Sequence, residues 1–165
     1  MYVQKDKFAL HCPQSLINFF TKGVNFMIIL ACDHAGYKLK EEIKAFFNSE
    51  NISAIDVGCY SSDTVDYPDL AHAGVERVLE NPQNVGIFIC GTGIGMSMVA
   101  NRNPKIRAAL CTSKQTATLA RKHNDANVLV LGGRLTSKRK AIKMIKLFLT
   151  TDFERGRHQQ RISKF

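Results

Sequence analysis

The run Cys90-Gly91-Thr92-Gly93-Ile94-Gly95-Met96-Ser97 places a cysteine at the lip of a glycine-rich turn. It closes an apolar stretch, residues 85–89, with the character of a buried strand, and opens a stretch of helical character over 96–101. Three alternating glycines let the backbone turn tightly and present several amide N–H groups to one ligand. The start of a helix, with its unpaired amides, attracts an anion and favours thiolate over thiol at a neighbouring cysteine. A base or nucleophile beside an oxyanion cradle is a catalytic arrangement. Taken alone, the run also fits a small buried cysteine that ends a strand.

The glycine spacing excludes two common phosphate-binding loops. A P-loop needs four residues between its glycines and then Lys-Ser or Lys-Thr, and no such lysine follows here. A dinucleotide fingerprint needs G-x-G-x-x-G and an acidic residue at the end of the next strand. Here the third glycine comes one position early, and the next strand runs out through Leu110-Cys111-Thr112 without a carboxylate. Neither ATP nor NAD is indicated.

Apolar runs rich in β-branched residues begin near Met27, Ser53, Val85, Arg107 and Val128. Between them lie segments of helical periodicity, 37–49, 69–80, 96–101, 114–123 and 137–150, and a last stretch, 152–162, suits a short final helix. Short strands alternating with helices imply βαβ units and a parallel sheet, and near-continuous apolar strands suit a sheet covered on both faces. The expected fold is therefore α/β: a single-domain, doubly wound, Rossmann-like sheet of five parallel strands with helices on both faces, in the order 2-1-3-4-5. Ligands bind such sheets beyond the C-terminal strand ends, where the strand order reverses. That point falls between strands 1 and 3. Strand 1 runs into Cys32-Asp33-His34-Ala35-Gly36 and strand 3 into the Cys90 turn, so the two loops richest in polar chemistry are expected to be neighbours.

At 165 residues and 45% hydrophobic content the chain can bury the core of one domain. No run approaches the roughly 18 consecutive apolar residues of a membrane span, so no membrane partner is expected. Cysteines at 12, 32, 59, 90 and 111 lack C-x-x-C spacing, which indicates neither a disulfide framework nor a zinc site and suits a reducing cytoplasm. Residues 1–26 have a mixed-charge start, a proline and only short apolar patches, without a signal peptide's apolar core. They read as an N-terminal extension to a domain over 27–165. The net charge of +9 owes much to Lys138, Arg139, Lys140, Lys143, Lys146, Arg155, Arg157, Arg161 and Lys164. No nucleic-acid motif accompanies them, tryptophan is absent, and the aromatics are not interleaved with the basic residues, so nucleic acid is not an expected partner. The set from Lys138 to Lys146 suits a solvated helix face, and positive charge also suits a small phosphorylated substrate.

Five ordered motifs converge on one family: Cys32-Asp33-His34-Ala35-Gly36, Asp66-Tyr67-Pro68-Asp69, Cys90-Gly91-Thr92-Gly93-Ile94-Gly95, His123-Asn124-Asp125-Ala126-Asn127 and Gly156-Arg157-His158-Gln159-Gln160-Arg161. From Met27 onward the chain resembles the type B ribose-5-phosphate isomerases, in the wider group that includes galactose-6-phosphate isomerase subunits. The resemblance implies interconversion of an aldose phosphate and a ketose phosphate through a cis-enediolate, without metal or other cofactor.

It also implies roles. Cys90 becomes the thiolate base that moves a proton between C2 and C1, and the amides of Gly91, Gly93 and Gly95, with Asn124, hold the enediolate oxygen. His123 becomes the acid/base that opens the furanose, partnered by Thr92 and Asp33; imidazole suits the task because it titrates near neutrality. His34, Arg134, Arg157 and Arg161 are matched to the phosphate, and Tyr67 to the substrate site. Arg157 and Arg161, at i and i+4, leave the same face of a helix. Without the family, His123 reads as a helix-end cap and the arginines as a solvated tail. His158 is a candidate for the phosphate or for a subunit contact, His72 reads as surface or packing, and His11 lies in the extension.

The expected reaction is ribose 5-phosphate to ribulose 5-phosphate, in the pentose phosphate pathway of carbohydrate metabolism. The alternatives are an isomerase of allose or galactose 6-phosphate, and a non-catalytic phosphosugar-binding protein. The joint presence of Cys90 and His123 argues against the last, since binding needs neither. The family implies a homodimer or higher homo-oligomer with each site shared across the interface.

Overall fold

The computed structural model describes residues 26–165, so all of the expected extension except Phe26 lies outside the described residues. Five strands form one parallel sheet: β1 (Ile28–Cys32), β2 (Ala54–Asp56), β3 (Val85–Cys90), β4 (Ala108–Leu110) and β5 (Val128–Gly132). The helices are α1 (Tyr37–Ser49), α2 (Tyr67–Leu79), α3 (Ile94–Ala100), α4 (Lys114–Asn124), α5 (Lys138–Thr150) and α6 (Arg157–Ile162). Successive strand residues feed opposite cores, as the two-residue period requires. Ile28, Leu30, Ile87, Ile89, Leu129 and Leu131 pack with α1, α4 and α5, whereas Ile29, Ala31, Phe88, Cys90, Val128 and Val130 pack with α2 and α3. Both faces are covered, and the doubly wound class is the expected one.

The strand order is β2-β1-β3-β5-β4. The expected order 2-1-3-4-5 is thus corrected at one edge: β5 pairs with β3, and β4 lies outside β5. Burial gives the reason. β5 is VLVLG and buried throughout, while β4 is a three-residue AAL strand that is half-buried throughout. The more apolar strand takes the place with neighbours on both sides. The reversal beside β1 and β3 is unaffected, since those two strands still pair directly.

The helix starts follow local chemistry. Pro68 lies in the first turn of α2, which begins two residues before the expected 69. At α4, Ser113 accepts from the Thr116 amide while the Thr116 hydroxyl accepts from the Ser113 N–H, a reciprocal cap. The last helix is shorter than the expected 152–162. Arg155 and Gly156 adopt φ of 59° and 54°, which breaks a right-handed helix there.

Register decides which residues share an edge of the sheet. Cys90 pairs with Gly132 at the C-terminal ends of β3 and β5, and Gly86 pairs with Val128 at the N-terminal ends. α4 returns toward the N-terminal ends, so His123 and Asn124 sit just before Val128. Four strand residues, about 13 Å at about 3.3 Å each, separate that edge from Cys90.

Candidate active site

At the C-terminal edge, β3 delivers Cys90 into a turn whose Gly93 N–H donates to the cysteine Sγ at 3.1 Å. Gly93 holds φ of 84°, a left-handed conformation that glycine adopts freely, and a Cβ there would also press on the Leu131 backbone at 3.1 Å. The Thr92 hydroxyl accepts from the Ile94 N–H at 3.3 Å, which leaves Thr92 exposed at the mouth. Gly95 lies beneath the Tyr67 ring, so closely that a Cβ would come to 2.6 Å of it. From the β5 end, Gly133 N–H donates to the Cys90 carbonyl at 2.7 Å and Arg134 N–H to the Gly91 carbonyl at 3.0 Å. The Arg134 guanidinium then lies over Gly91, where an added Cβ would be 3.4 Å from Nη1.

The loop after β1 completes this edge. Asp33 is buried, its N–H donates to the Ile89 carbonyl at 3.2 Å, and its Oδ1 accepts from Gly36 N–H at 2.9 Å. His34 Nδ1 lies 3.3 Å from both the N–H and the carbonyl of Val65. Cys90, Gly91, Thr92, Gly93, Gly95, Asp33, His34, Tyr67 and Arg134 therefore share one end of the sheet.

His123, Asn124, Arg157 and Arg161 do not join them within the chain. They sit toward the N-terminal edge, where α6 packs on α4. The His123 ring stacks on His158 with centroids 4.2 Å apart and planes 6° from parallel. Both Nε2 atoms face Glu154 Oε2, at 3.6 Å and 3.8 Å, and Lys122 Nζ meets Glu154 Oε1 at 3.0 Å. The Lys122 hydrogen bond, foremost, holds the Glu154 carboxyl below the usual carboxylate range. Burial, then the neighbouring His123 and Arg157, hold His158 below the usual imidazole range. Arg157 and Arg161 are exposed and form no ion pair among the described residues.

Sequence reasoning missed one residue that builds the site wall. Lys40 is fully buried, and its Nζ donates to both Asp56 oxygens at 2.8 Å, to the Gly58 carbonyl at 2.8 Å and to the Cys59 carbonyl at 2.7 Å. It fixes the start of the β2–α2 loop, which continues through the Val65 that meets His34 to α2, whose first residue is the Tyr67 that covers Gly95. In the sequence Lys40 looks no different from Lys38, which is exposed.

A buried thiol heads an amide turn at the reversal point of a doubly wound α/β sheet, the place where proteins of that class bind their ligands. The chain belongs to the Ribose/Galactose Isomerase family, whose profile it matches over residues 28–165. It is similar to a ribose 5-phosphate isomerase of Thermotoga maritima, with a TM-score of 0.82, 47% identity, and coverage of 86% of this chain and 97% of that one. A ribose-5-phosphate isomerase B of Mycoplasma genitalium, solved with ribulose-5-phosphate bound, superposes with a TM-score of 0.81 at 41% identity over 86% and 94% of the two chains. The ribose-5-phosphate isomerase B of Escherichia coli is 41% identical over 135 residues, 82% of this chain and 91% of its own.

Proposed function

We propose that this chain is an aldose–ketose isomerase that interconverts ribose 5-phosphate and ribulose 5-phosphate. The observation that carries the reading is the Gly93 N–H on Cys90 Sγ, at the head of a turn of amides. The Gly93 N–H is aimed at the sulfur, and the neighbouring amides of the turn can hold an oxyanion. The C2 proton beside the C1 carbonyl passes to the Cys90 thiolate, the electrons move into a cis-enediolate, the O2 proton is transferred to O1, and the sulfur returns its proton at C1 as the C2 carbonyl forms. Loss of one preformed oxyanion donor costs about 3–4 kcal/mol in other enzymes, so the amides of Gly91 and Gly95, beside the Gly93 N–H on the sulfur, are as much part of the chemistry as the thiol. Before this, the furanose opens, with His123 carrying the proton and Thr92 and Asp33 as hydrogen-bonding partners. The bound ribulose-5-phosphate of the Mycoplasma genitalium relative supports the five-carbon substrate.

The two edges of the sheet meet in a shared site in this reading. One copy contributes the Cys90 turn, Asp33, His34, Tyr67 and Arg134; its partner contributes His123, Asn124, Arg157 and Arg161. Ile94 and Met98 on α3, Tyr67 at the start of α2 and Leu135 after β5 are exposed large hydrophobics, apolar surface of the kind a second copy covers. Four free cysteines among the described residues suit a reducing cytoplasm, and no described helix is long and apolar enough to cross a membrane. The pentose phosphate pathway is the natural setting for this reaction.

The test is an isomerase assay with ribose 5-phosphate beside allose and galactose 6-phosphates. Ribose 5-phosphate should give the highest kcat/KM; a higher value for a six-carbon phosphate would transfer the assignment to it. The arginines add a second check. Arg157→Ala or Arg161→Ala should weaken binding of the phosphorylated sugar by about 1.5–3 kcal/mol, the worth of a charge-assisted hydrogen bond. Titration with ribose lacking phosphate should show a much smaller loss, and equal losses would remove these arginines from the phosphate site.

A further inference from the structure

The cluster of His123, Glu154 and His158 contains two groups to which the proposed chemistry gives no task. Glu154 is held on three sides. Its backbone N–H donates to the Lys122 carbonyl at 3.0 Å, its Oε1 meets Lys122 Nζ at 3.0 Å, and its Oε2 faces both imidazoles. As an ionised carboxylate it can only accept hydrogen bonds, so each Nε2 facing it is favoured in its N–H form. The contact to His123, 3.6 Å, is an ion-pair distance from which a small rotation of the exposed carboxylate closes a hydrogen bond.

We propose that Glu154 is a positioning residue for His123: it takes the Nε2–H and leaves Nδ1 as the nitrogen that exchanges protons with the sugar. This rests on the reading of His123 as the ring-opening group. In that step the C1–O4 bond breaks, the O1 hydroxyl loses a proton and O4 gains one, with Nδ1 taking the first and returning the second. His158 supplies a platform for the ring, with a side chain only 8% exposed against 36% for His123. The stack also separates this arrangement from a metal site. Two rings only 6° from parallel with centroids 4.2 Å apart cannot both direct an in-plane Nε2 lone pair at one ion.

The surrounding charge sets the sign of the pH effect. Lys122 of α4 and Arg157 and Arg161 of α6 are the cations acting on Glu154 and His158. Arg121 of α4 is tied to Asp125 and also feels Asp152, and the last charged residue of α5, Lys146, is turned to Glu50. Within its own chain, Glu154 therefore supplies the negative charge against the imidazole pair. Its removal leaves the pair among cations, which disfavours the imidazolium.

Glu154→Gln tests this, and the 45% exposed side chain makes the substitution compatible with folding. Turnover of ribose 5-phosphate should fall at least roughly tenfold, as when an orienting carboxylate is neutralised elsewhere. The imidazole-governed limb of the kcat/KM profile should move to lower pH. Exchange of the C1 proton of ribulose 5-phosphate with deuterated water should stay at the wild-type rate. That ketose has its C5 oxygen phosphorylated and cannot close a furanose, so ring opening does not enter its exchange. A merely structural defect would slow exchange and turnover together and leave the limb in place, which would overturn the proposal, as would unchanged turnover and profile. His123→Ala is the control and should show the same split. If it shows the split and Glu154→Gln does not, only the Glu154 role fails; if it leaves ribose 5-phosphate turnover intact, the ring-opening reading fails and this proposal with it.

Discussion

Cys90→Ala should cost at least roughly 10²- to 10⁴-fold in kcat, the range of a positioned base, with substrate still bound. The proton on C2 is weakly acidic and is removed only if the sulfur is ionised and the resulting enediolate is held. The Gly93 N–H is aimed at that sulfur from 3.1 Å, and the remaining amides of the turn serve the second need. Alanine removes the sulfur from a residue only 5% exposed and leaves that N–H without its acceptor. A stability loss of about 1 kcal/mol therefore accompanies the kinetic one, and a melting curve separates them. Cys90→Ser should also be badly impaired, because a hydroxyl is far less ionised than a thiol at neutral pH. A thiol-alkylating reagent near pH 8 should inactivate the enzyme, and substrate should protect it. Cys32 and Cys111 should be spared, because burial pushes their thiols up to about 12 and about 11. Labelling of either at a rate equal to Cys90 would remove the special status of the turn.

Mixing Cys90→Ala subunits with His123→Ala subunits should restore activity that neither has alone. Cys90 and His123 lie at opposite edges of the sheet, so a shared site takes them from different copies. In a heterodimer, one of the two sites then carries both defects and the other carries none. Random mixing makes half the dimers heterodimers, and the expected recovery is roughly a quarter of wild-type specific activity for a two-fold dimer. The measurement is turnover of co-refolded or co-expressed mixtures, with heterodimers verified by tags on the two subunits. Heterodimers that form and stay inactive would place each complete site within one chain.

What the sequence made legible was local. The strand-to-turn passage at Cys90, the polar loop after β1 and the proline-led start of α2 each depend on neighbours in the chain, and the pattern of residue types reports them. The places of β4 and β5 depend on a competition between two distant segments for the interior of the sheet. The contrast of AAL with VLVLG held a clue, because the stronger apolar strand gains more from burial on both sides. Lys40 was not legible at all. Only the phase of α1 against Asp56 and the carbonyls of Gly58 and Cys59 distinguishes it from Lys38. The candidate site divided in the same way. Motif matching named His123, Asn124, Arg157 and Arg161, but a motif does not say at which edge of the sheet a residue lies. The partnership of His123 with His158 arises from the break at Arg155 and Gly156, which turns α6 back over the end of α4.

The most direct test of the thiolate base is exchange of the C2 proton of ribose 5-phosphate with deuterated water, followed by NMR in the wild-type protein and in Cys90→Ala. The account predicts enzyme-catalysed exchange in the first and only the uncatalysed background in the second, with both proteins binding the sugar. Exchange at the wild-type rate in Cys90→Ala would contradict it: another residue would then be the base, and Cys90 would be no more than the packed end of a strand.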